Sequence, residues 1–455
     1  MTAPAIRDLA VAIGGEVLTP EHPSFEGAAG VFQLAATGRP AAVVRPRDAA
    51  EVARAVACAR HCELDIAVRG GGHSAAGHST GDGVVVIDTR ALDELVVDPR
   101  TRRLRAGAGL TAGAVVAAAH PHGLTVPFGD NGAVGIAGIT LGGGMGYLSR
   151  QHGLTIYRLV SAELVTADGR VVTASADSEP ELFWAIRGGG GNFGVVTALE
   201  FELVEAGMVY GGALLLPPAS DVLRGVAPLA GAAPRELGVI ANAMPAPSAP
   251  FVPPDMVGQP VVVVMGVFNG GAAAGEAAWA PFRALARPIA DMVGPMPYPA
   301  IYRFGEGAAT PSSTANRSVF LETVDDAVVE TLRAAYLASP GVMTLIQIRV
   351  LGGAVADVPA DATAYAHRAA PVHLMALASA GPAVAIGSCR DWAEDVLDRL
   401  RGHGIGAYVN FLEDEGEARI REAYPLSTYR RLAAVKAAWD PDNVFHLNQN
   451  IRPAS

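Results

Sequence analysis

The sequence predicts an α+β protein of two domains. Its 455 residues exceed what one ordinary hydrophobic core supports. The first half alternates short apolar strands with amphipathic helices, and the composition changes after about Glu205, where prolines break the chain into shorter pieces. We therefore expect a first domain over residues 1–205, a second α+β domain over residues 206–405, and an ordered C-terminal segment over residues 406–455.

The first half carries the clearest element signals. Ala41–Arg45 is an apolar run that stops at Pro46, and Asp48 stands at the N-cap of a predicted helix, three residues before Glu51. Asp168-Gly169 is typical of a hairpin turn. The other predicted strands are Leu64–Val68, Val84–Asp88, Arg103–Ala106, Ala162–Thr166, Val171–Ala174 and Val195–Val204, and the other predicted helices are Thr111–His120 and Glu181–Arg187.

The second half alternates in the same way. Its predicted strands are Val261–Val267, Leu345–Val350 and Val372–Ala378, and its predicted helices lie near Ala272–Leu285, Ala327–Leu337 and Asp391–Arg401. In the C-terminal segment, Tyr408–Leu412 is predicted to be a strand. Ser427 is expected to cap a helix that stops at Asp440-Pro441.

Charge and composition exclude several classes of protein. The net charge is −11 and no basic block occurs, so nucleic acid and anionic membranes are poor partners. No apolar run is long enough to span a bilayer, and the N-terminus lacks the features of a secretory signal. Cys58, Cys62 and Cys389 are too few for a disulfide framework or a four-ligand zinc site. We expect a cytoplasmic protein without a metal.

Glycine is clustered along the first half of the chain. Many of the 53 glycines fall in Gly70–Gly83, Gly129–Gly146 and Gly188–Gly194. Glycine clusters mark turns or a close approach of the backbone to a ligand. Three such clusters within 125 residues suggest one large ligand that is held by the main chain.

The glycine loops admit different interpretations. Residues 189–194 match G-x-G-x-x-G, but a predicted helix precedes them and a β-rich segment follows, which is the wrong order for a Rossmann site. The three glycines after Arg69 could hold phosphate oxygens, with charge from that arginine, or could form a tight turn at a sheet edge. The second cluster favours the ligand, because a flat apolar ring could lie on backbone such as that of Gly135, Gly138 and Gly142–Gly144.

Four motifs in order resemble a known family. They are VRGGGHSAAG (68–77), VGIAGITLGGGMG (134–146), FWAIRGGGGNFGVVT (183–197) and DPDNVFHLNQNIRP (440–453). Over about residues 39 to 453 the chain is similar to the FAD-linked oxidases of the vanillyl-alcohol oxidase superfamily, in the berberine-bridge-enzyme-like branch. The resemblance implies a PCMH-type FAD-binding fold with its core at about 36–207. It also implies a substrate domain, made of an antiparallel sheet covered by helices, and a C-terminal segment that returns to the flavin.

The resemblance also implies FAD as the cofactor and His73 as its attachment point. In this family the motif's histidine is joined to the 8α-methyl of the flavin, and some members add a cysteine link at the position of Asn131, so a single histidyl link is expected here. The backbone of residues 69–74 would hold the pyrophosphate. The predicted cofactor-binding residues are Arg69, Gly70, Gly71, Gly72, His73, Ser74, Val134, Gly135, Gly138, Gly142, Gly143, Gly144, Gly146, Val196, Tyr408, Asn410, Asn448 and Asn450.

The catalytic base of the plant family members has no counterpart in the matching stretch. Those members use a glutamate, whereas residues 361–378 contain none. Tyr365, with a pKa lowered by flavin or arginine, is the first predicted substitute, and Tyr408 is the second. Gln347 and Arg349 alternate along a predicted strand and face either the substrate pocket or the sheet surface.

The resemblance implies oxidation of a C–O or C–N bond by hydride transfer to flavin, with O₂ as the acceptor and hydrogen peroxide as the product. The substrate would be an alcohol, a sugar-type lactol, an amine or a secondary metabolite. One alternative is a dehydrogenase with another electron acceptor. Others are a flavin-holding protein that cyclises its ligand and a protein that only binds it, the last of which the missing glutamate favours. The oligomeric state stays open.

Overall fold

The computed structural model describes residues 2–36 and 38–454, without the side chains of residues 2, 3 and 306–309. A first, four-stranded sheet has the order Glu16–Leu18, Ala42–Arg45, Val85–Asp88 and Ile66–Arg69. The last three strands are parallel, and helix Ala49–His61 makes the crossover that parallel strands require. The predicted cap is confirmed, because the Asp48 carboxylate accepts a hydrogen bond from the backbone nitrogen of Glu51 at 2.8 Å.

A second sheet of five antiparallel strands carries the predicted hairpin. Its order is Leu95–Asp98, Arg103–Gly107, Val195–Glu202, Leu159–Val165 and Val171–Ser175. A short pair joins Leu124–Thr125 to Val204–Glu205. The helices up to residue 186 are Thr2–Ala12, Phe25–Ala29, Ala49–His61, Ala112–Ala119, Ile136–Gly142, Ser149–His152 and Pro180–Ile186. A helix therefore precedes glycine loop 188–194 and a strand follows it, which confirms that this loop is not a Rossmann site.

A third sheet, the large sheet, contains nine antiparallel strands. Its order is Ala290–Asp291, Met208–Leu216, Pro260–Phe268, Leu237–Pro245, Met343–Val350, Val372–Ser379, Thr314–Leu321 and Gly404–Gly406, with Gly294–Pro297 also paired to Met208–Leu216. Four helices bury one face: Ser220–Ala232, Ala272–Arg283, Asp326–Ala338 and Ile386–Leu400. This arrangement confirms the expected antiparallel sheet covered by helices. The domain limits themselves stay a prediction.

Alternation along each strand of the large sheet separates its two faces. Val239, Ala241 and Ala243 pack into the core beneath the helices, whereas Asn242 and Met244 face the other way. The second face is therefore free to form one wall of a cavity.

Two predictions for the C-terminal segment are wrong. Residues 408–412 do not form a strand. They turn through a 3₁₀ helix, Val409–Phe411, so that this segment leaves the large sheet. Ser427 lies inside helix Leu426–Trp439 instead of capping it, because the carbonyl of Pro425 already accepts the first helical hydrogen bond, from Tyr429. The predicted end of this helix is confirmed, because the helix stops before Asp440. A shorter helix, Glu417–Ala423, precedes it in the chain.

A buried ion pair fixes the tail segment, residues 440–453, to glycine loop 188–194. Lys436 is the only lysine in the sequence. Its ammonium donates to Asp440 Oδ2 at 2.5 Å, to the carbonyl of Asn192 at 2.7 Å and to the carbonyl of Phe445 at 2.9 Å. Both charged side chains are 0% exposed. Three acceptors around one nitrogen match the three hydrogens of an ammonium.

The described part of the chain contains no helix that is long and apolar enough to cross a membrane.

Removal of the buried ammonium is expected to destabilise the fold. Lys436→Met leaves the Asp440 carboxylate buried without its counter-charge, so the free energy of unfolding should fall by about 3–5 kcal/mol. Arg399→Met is the matched control, because Arg399 pairs with Asp395 at the same helical spacing but with both side chains 55% exposed. The control should change the free energy of unfolding by less than about 1 kcal/mol. Urea unfolding measures both values, and equal small losses would contradict the role of burial.

Candidate active site

One large cavity lies between the glycine loops and the open face of the large sheet. Its volume is about 1360 Å³, which exceeds the range of about 300–1,000 Å³ that is common for single small ligands. Residues 70–74, 189–191 and 447–449 line one end, and strands of the large sheet line the other. The cavity can therefore hold a large ligand together with a second molecule.

Bare backbone forms much of the glycine end of the cavity. A Cβ atom added to Gly138, Gly190 or Gly191 would meet no protein atom within 4 Å, and all three glycines line the cavity. A Cβ on Gly71 would lie only 2.4 Å from the backbone nitrogen of Gly135, so the two loops touch through their main chains. The shape fits a flat ring and a phosphate group that lie on backbone.

The structure brings most of the predicted cofactor residues to this cavity. Those that line it are Gly70, Gly71, Gly72, His73, Ser74, Val134, Gly135, Gly138, Val196, Tyr408, Asn410 and Asn448. Those that do not are Arg69, Gly142, Gly143, Gly144, Gly146 and Asn450. The binding role of each residue stays a prediction.

The expectation that Arg69 adds positive charge to the phosphate loop is wrong. Its guanidinium turns away from the cavity, pairs with Asp88 at 2.9 Å and donates to the carbonyls of Ala28 and Gly30. Burial alone would raise the pKa of Asp88, but the surrounding arginines, Arg69 among them, lower it to about 2. The arginine therefore supports the strand that ends in the loop, and its charge does not reach the cavity.

The glycines of turn 142–146 are required by neighbouring protein atoms and not by the cavity. A Cβ on Gly142 would lie 2.1 Å from Oδ1 of Asn410. A Cβ on Gly146 would lie 2.0 Å from the carbonyl oxygen of Phe128. Gly142 thus lets Asn410 of the C-terminal segment pack against the turn, and Gly146 lets the backbone at Phe128 do so. The predicted contact of these glycines with the cofactor stays a prediction.

Two neutral imidazoles line the cavity. The ring of His73 stacks on Phe32 with centroids 4.5 Å apart, and burial lowers the pKa of His73. His78 is half-buried, and burial lowers its pKa; its Nε2 has no hydrogen-bond partner among the described residues. Asn131, at the position of the second link in some family members, lines the cavity as well. None of the three cysteines does.

The structure places the two predicted catalytic tyrosines differently. Tyr365 does not line the cavity, and burial outweighs the nearby Arg368 and raises its pKa well above the usual value, so the net lowering expected from an arginine is wrong. Tyr408 does line the cavity. Its oxygen accepts hydrogen bonds from the nitrogen of Gly144 at 2.9 Å and from Nδ2 of Asn410 at 3.0 Å, but burial outweighs them and raises the pKa of Tyr408 too. Both tyrosines are neutral at pH 7.

One acidic side chain, Asp130, lies where the two ends of the cavity meet and was not predicted from the sequence. Among the described residues that line the cavity, Asp130 is the one carboxylate. Its Oδ2 lies 2.8 Å from Nη2 of Arg349, and Arg349 and Gln347 both line the cavity, which settles the alternative that the sequence left open. The sequence did offer a signal for it, namely an aspartate inside the second glycine cluster, between Gly129 and Gly132.

Methionines are concentrated in the cavity wall. Seven of the chain's ten methionines line the cavity: Met145 in the turn 142–146, and Met244, Met265, Met292, Met296, Met343 and Met375 in or beside strands of the large sheet. Their scatter over 231 residues of sequence hides the cluster until the chain folds.

Comparisons with known proteins agree with this geometry. A family model described as FAD binding domain matches residues 40–175, and one described as Berberine and berberine like matches residues 407–452. The (R)-6-hydroxynicotine oxidase of Paenarthrobacter nicotinovorans is 31% identical over 97% of this chain and 98% of its own. The xylooligosaccharide oxidase of Thermothelomyces thermophilus is 27% identical over 91% of this chain and 88% of its own.

Solved structures share the fold. The 6-hydroxy-D-nicotine oxidase from Arthrobacter nicotinovorans superposes with a TM-score of 0.88 at 27% identity, covering 97% of this chain and 98% of that chain. The glucooligosaccharide oxidase from Acremonium strictum, described as carrying a 6-S-cysteinyl, 8α-N1-histidyl FAD, superposes with a TM-score of 0.86 at 23% identity, covering 99% and 100%.

Fold and cavity together define an FAD-dependent oxidoreductase. The chain belongs to the family of FAD-linked oxidoreductases that end in a berberine-like segment. The resemblance found in the sequence, the cofactor and the enzyme class are thereby confirmed.

A large side chain at Gly138 is expected to exclude flavin without disturbing the fold. Gly138 lies in helix Ile136–Gly142, and the side chain introduced by Gly138→Leu would point into open space. The free energy of unfolding of the flavin-free protein should therefore change by less than about 1 kcal/mol. Gly27→Leu is the control, because Gly27 is also helical with no atom within 4 Å but lies away from the cavity. Flavin absorbance per chain should fall several-fold only in Gly138→Leu. Full flavin content in that variant would contradict this placement.

Proposed function

We propose that the protein oxidises a C–O or C–N bond of a small organic molecule by hydride transfer to FAD, with O₂ taking the electrons to form hydrogen peroxide. The observation that carries the proposal is the continuity of one cavity from the glycine loops to the open face of the large sheet. Relatives named as oxidases of 6-hydroxynicotine and of xylooligosaccharides support a small organic substrate.

Asp130 is the proposed base. Bound FAD supplies the two-electron acceptor, so the chain must take the proton that the substrate's hydroxyl or amine loses. Asp130 has acceptor oxygens, lines the cavity and is held in place by Arg349 at 2.8 Å. The lone pairs of the Tyr408 oxygen already accept two hydrogen bonds. Tyr408 is therefore suited to donating its hydroxyl hydrogen to the substrate and so orienting it.

His73 is the proposed attachment point of the flavin. Its neutral, half-buried ring has a nitrogen lone pair available for bond formation. A bond between that ring nitrogen and the 8α-methyl carbon of FAD would replace one hydrogen on each, and O₂, as the two-electron oxidant, would be reduced to hydrogen peroxide. The absence of cysteine from the cavity lining supports a single link.

Strand positions and contacts of the tail segment support the proposed division into domains. The strands of the large sheet run from Met208 to Gly406, which supports a substrate domain over residues 206–405. The contacts of the tail segment with loop 188–194 support the return of residues 406–455 to the first domain, residues 1–205. Hydrogen peroxide formed during turnover in air distinguishes O₂ from another acceptor. The cytoplasmic location stays a prediction.

The mass of the denatured chain tests the flavin link. We expect the wild-type chain to carry the mass of FAD less two hydrogens, because the bond survives denaturation. His73→Ala should have the mass of the bare chain. His78→Ala, which alters the neighbouring cavity histidine, should keep the addition. A bare wild-type chain, or an addition that persists in His73→Ala, would contradict the assignment.

The rate of flavin reduction tests the base. A screen of alcohols and amines for peroxide formation in air supplies a substrate, and its anaerobic reduction of the flavin is then followed by stopped flow. Asp130→Asn should lower the reduction rate by about 100-fold or more, since the amide cannot take the proton. Asp361→Asn, at an exposed position, should leave the rate unchanged. An unchanged rate in Asp130→Asn would rule the carboxylate out as base.

A further inference from the structure

Four polar side chains form a continuous row along the cavity. Asp130 bonds to Arg349, Nε of Arg349 donates to Oε1 of Gln347 at 2.8 Å, and Nε2 of Gln347 donates to Oδ1 of Asn242 at 2.9 Å. All four residues line the cavity. Gln347 and Asn242 are directly opposite each other on adjacent strands of the large sheet, which fixes their contact.

The chemistry of arginine fixes the direction of every hydrogen bond in this row. A guanidinium only donates, so the amide oxygen of Gln347 must face Arg349 and its NH₂ group must face Asn242. That NH₂ group needs an acceptor, so Asn242 must present its oxygen to Gln347. The remaining group of Asn242, its Nδ2, is thereby fixed as a donor.

This last donor has no hydrogen-bond partner among the described residues, although Asn242 is only 2% exposed. An unsatisfied buried donor is costly and rare in folded proteins. The wall beside it includes Met244 and Met265, whose unbranched thioether side chains can shift to admit a ligand.

We propose that Asn242 Nδ2 binds an acceptor atom, a carbonyl or ether oxygen or a ring nitrogen, on an otherwise apolar substrate. The inference rests on the proposed function and specifies its substrate class. Met244 and Met265 disfavour a sugar ring directly beside Asn242, because their thioether groups are poor partners for hydroxyl groups. Asn242 therefore sets specificity, while Asp130 at the other end of the row takes the proton.

Calorimetric titration with two isosteric probes tests the assignment. Acetophenone carries a carbonyl oxygen where α-methylstyrene carries a methylene group. Wild-type protein should bind acetophenone about tenfold more tightly, because only the ketone satisfies the free donor. Xylobiose should bind more weakly than acetophenone. Equal affinities for the first pair, no binding of acetophenone, or tighter binding of xylobiose would each overturn the proposal.

Two variants locate the preference. Asn242→Asp keeps the side-chain size and the oxygen that accepts from Gln347 but replaces the amide donor by a carboxylate oxygen, so the tenfold preference should disappear. Met375→Leu, which changes the same wall without altering a polar atom, should retain it. A preference that persists in Asn242→Asp overturns the proposal. The probe comparison on wild-type protein stands even if this variant fails to fold.

Flavin content, measured on the same samples by absorbance after denaturation, separates this inference from the proposed function. If the wild-type protein holds flavin but does not prefer acetophenone, only the role of Asn242 is refuted. Protein that holds no flavin even when refolded with excess FAD refutes the proposed function, and the binding heats, which need no oxidation, still decide the role of Asn242.

Discussion

The buried ammonium of Lys436 joins three parts of the chain that are distant in the sequence. It binds helix 426–439 to the Asn192 carbonyl in the glycine loop and to the Phe445 carbonyl in the tail segment. The Asp440 carboxylate neutralises it and also accepts from the backbone nitrogens of Val444 and Phe445. The cost of burying two charges is offset because the ammonium and the carboxylate each make three hydrogen bonds. The cavity wall at residues 445–449 depends on this arrangement.

The junction with the large sheet depends on a second charged contact. Arg349 reaches from the sheet to Asp130 beside the second glycine cluster, and it also donates to the carbonyl of Met145. Arg349 thus links the cofactor end of the cavity to the substrate end. The same arginine orders the amides of Gln347 and Asn242, so structural support and substrate recognition share one row of hydrogen bonds.

Features that depend on residues close together in the chain could be predicted from the sequence. Strand and helix positions, the Asp48 cap and the glycine loop that holds His73 follow from periodicity, capping chemistry and the absence of side chains. The direction of the Arg69 side chain could not be foreseen, because its partner Asp88 lies on an adjacent strand. The burial of Tyr365 likewise depends on contacts that form only when distant segments pack together.

The substrate end shows the same limit more strongly. Alternation along a strand states that Gln347 and Arg349 share a face, but not which face meets the cavity. The four helices on the opposite face decide this, because their apolar sides cover the other row of residues. The seven methionines that line the cavity come from separate positions in the sequence, none of which is distinctive alone.

The visible absorption spectrum of the purified protein measures how much flavin the cavity holds. We expect a yellow protein with one FAD per chain, and a markedly lower ratio of FAD to chain when the Lys436 ammonium is removed. A colourless wild-type protein that takes up no FAD even after refolding with an excess would contradict it.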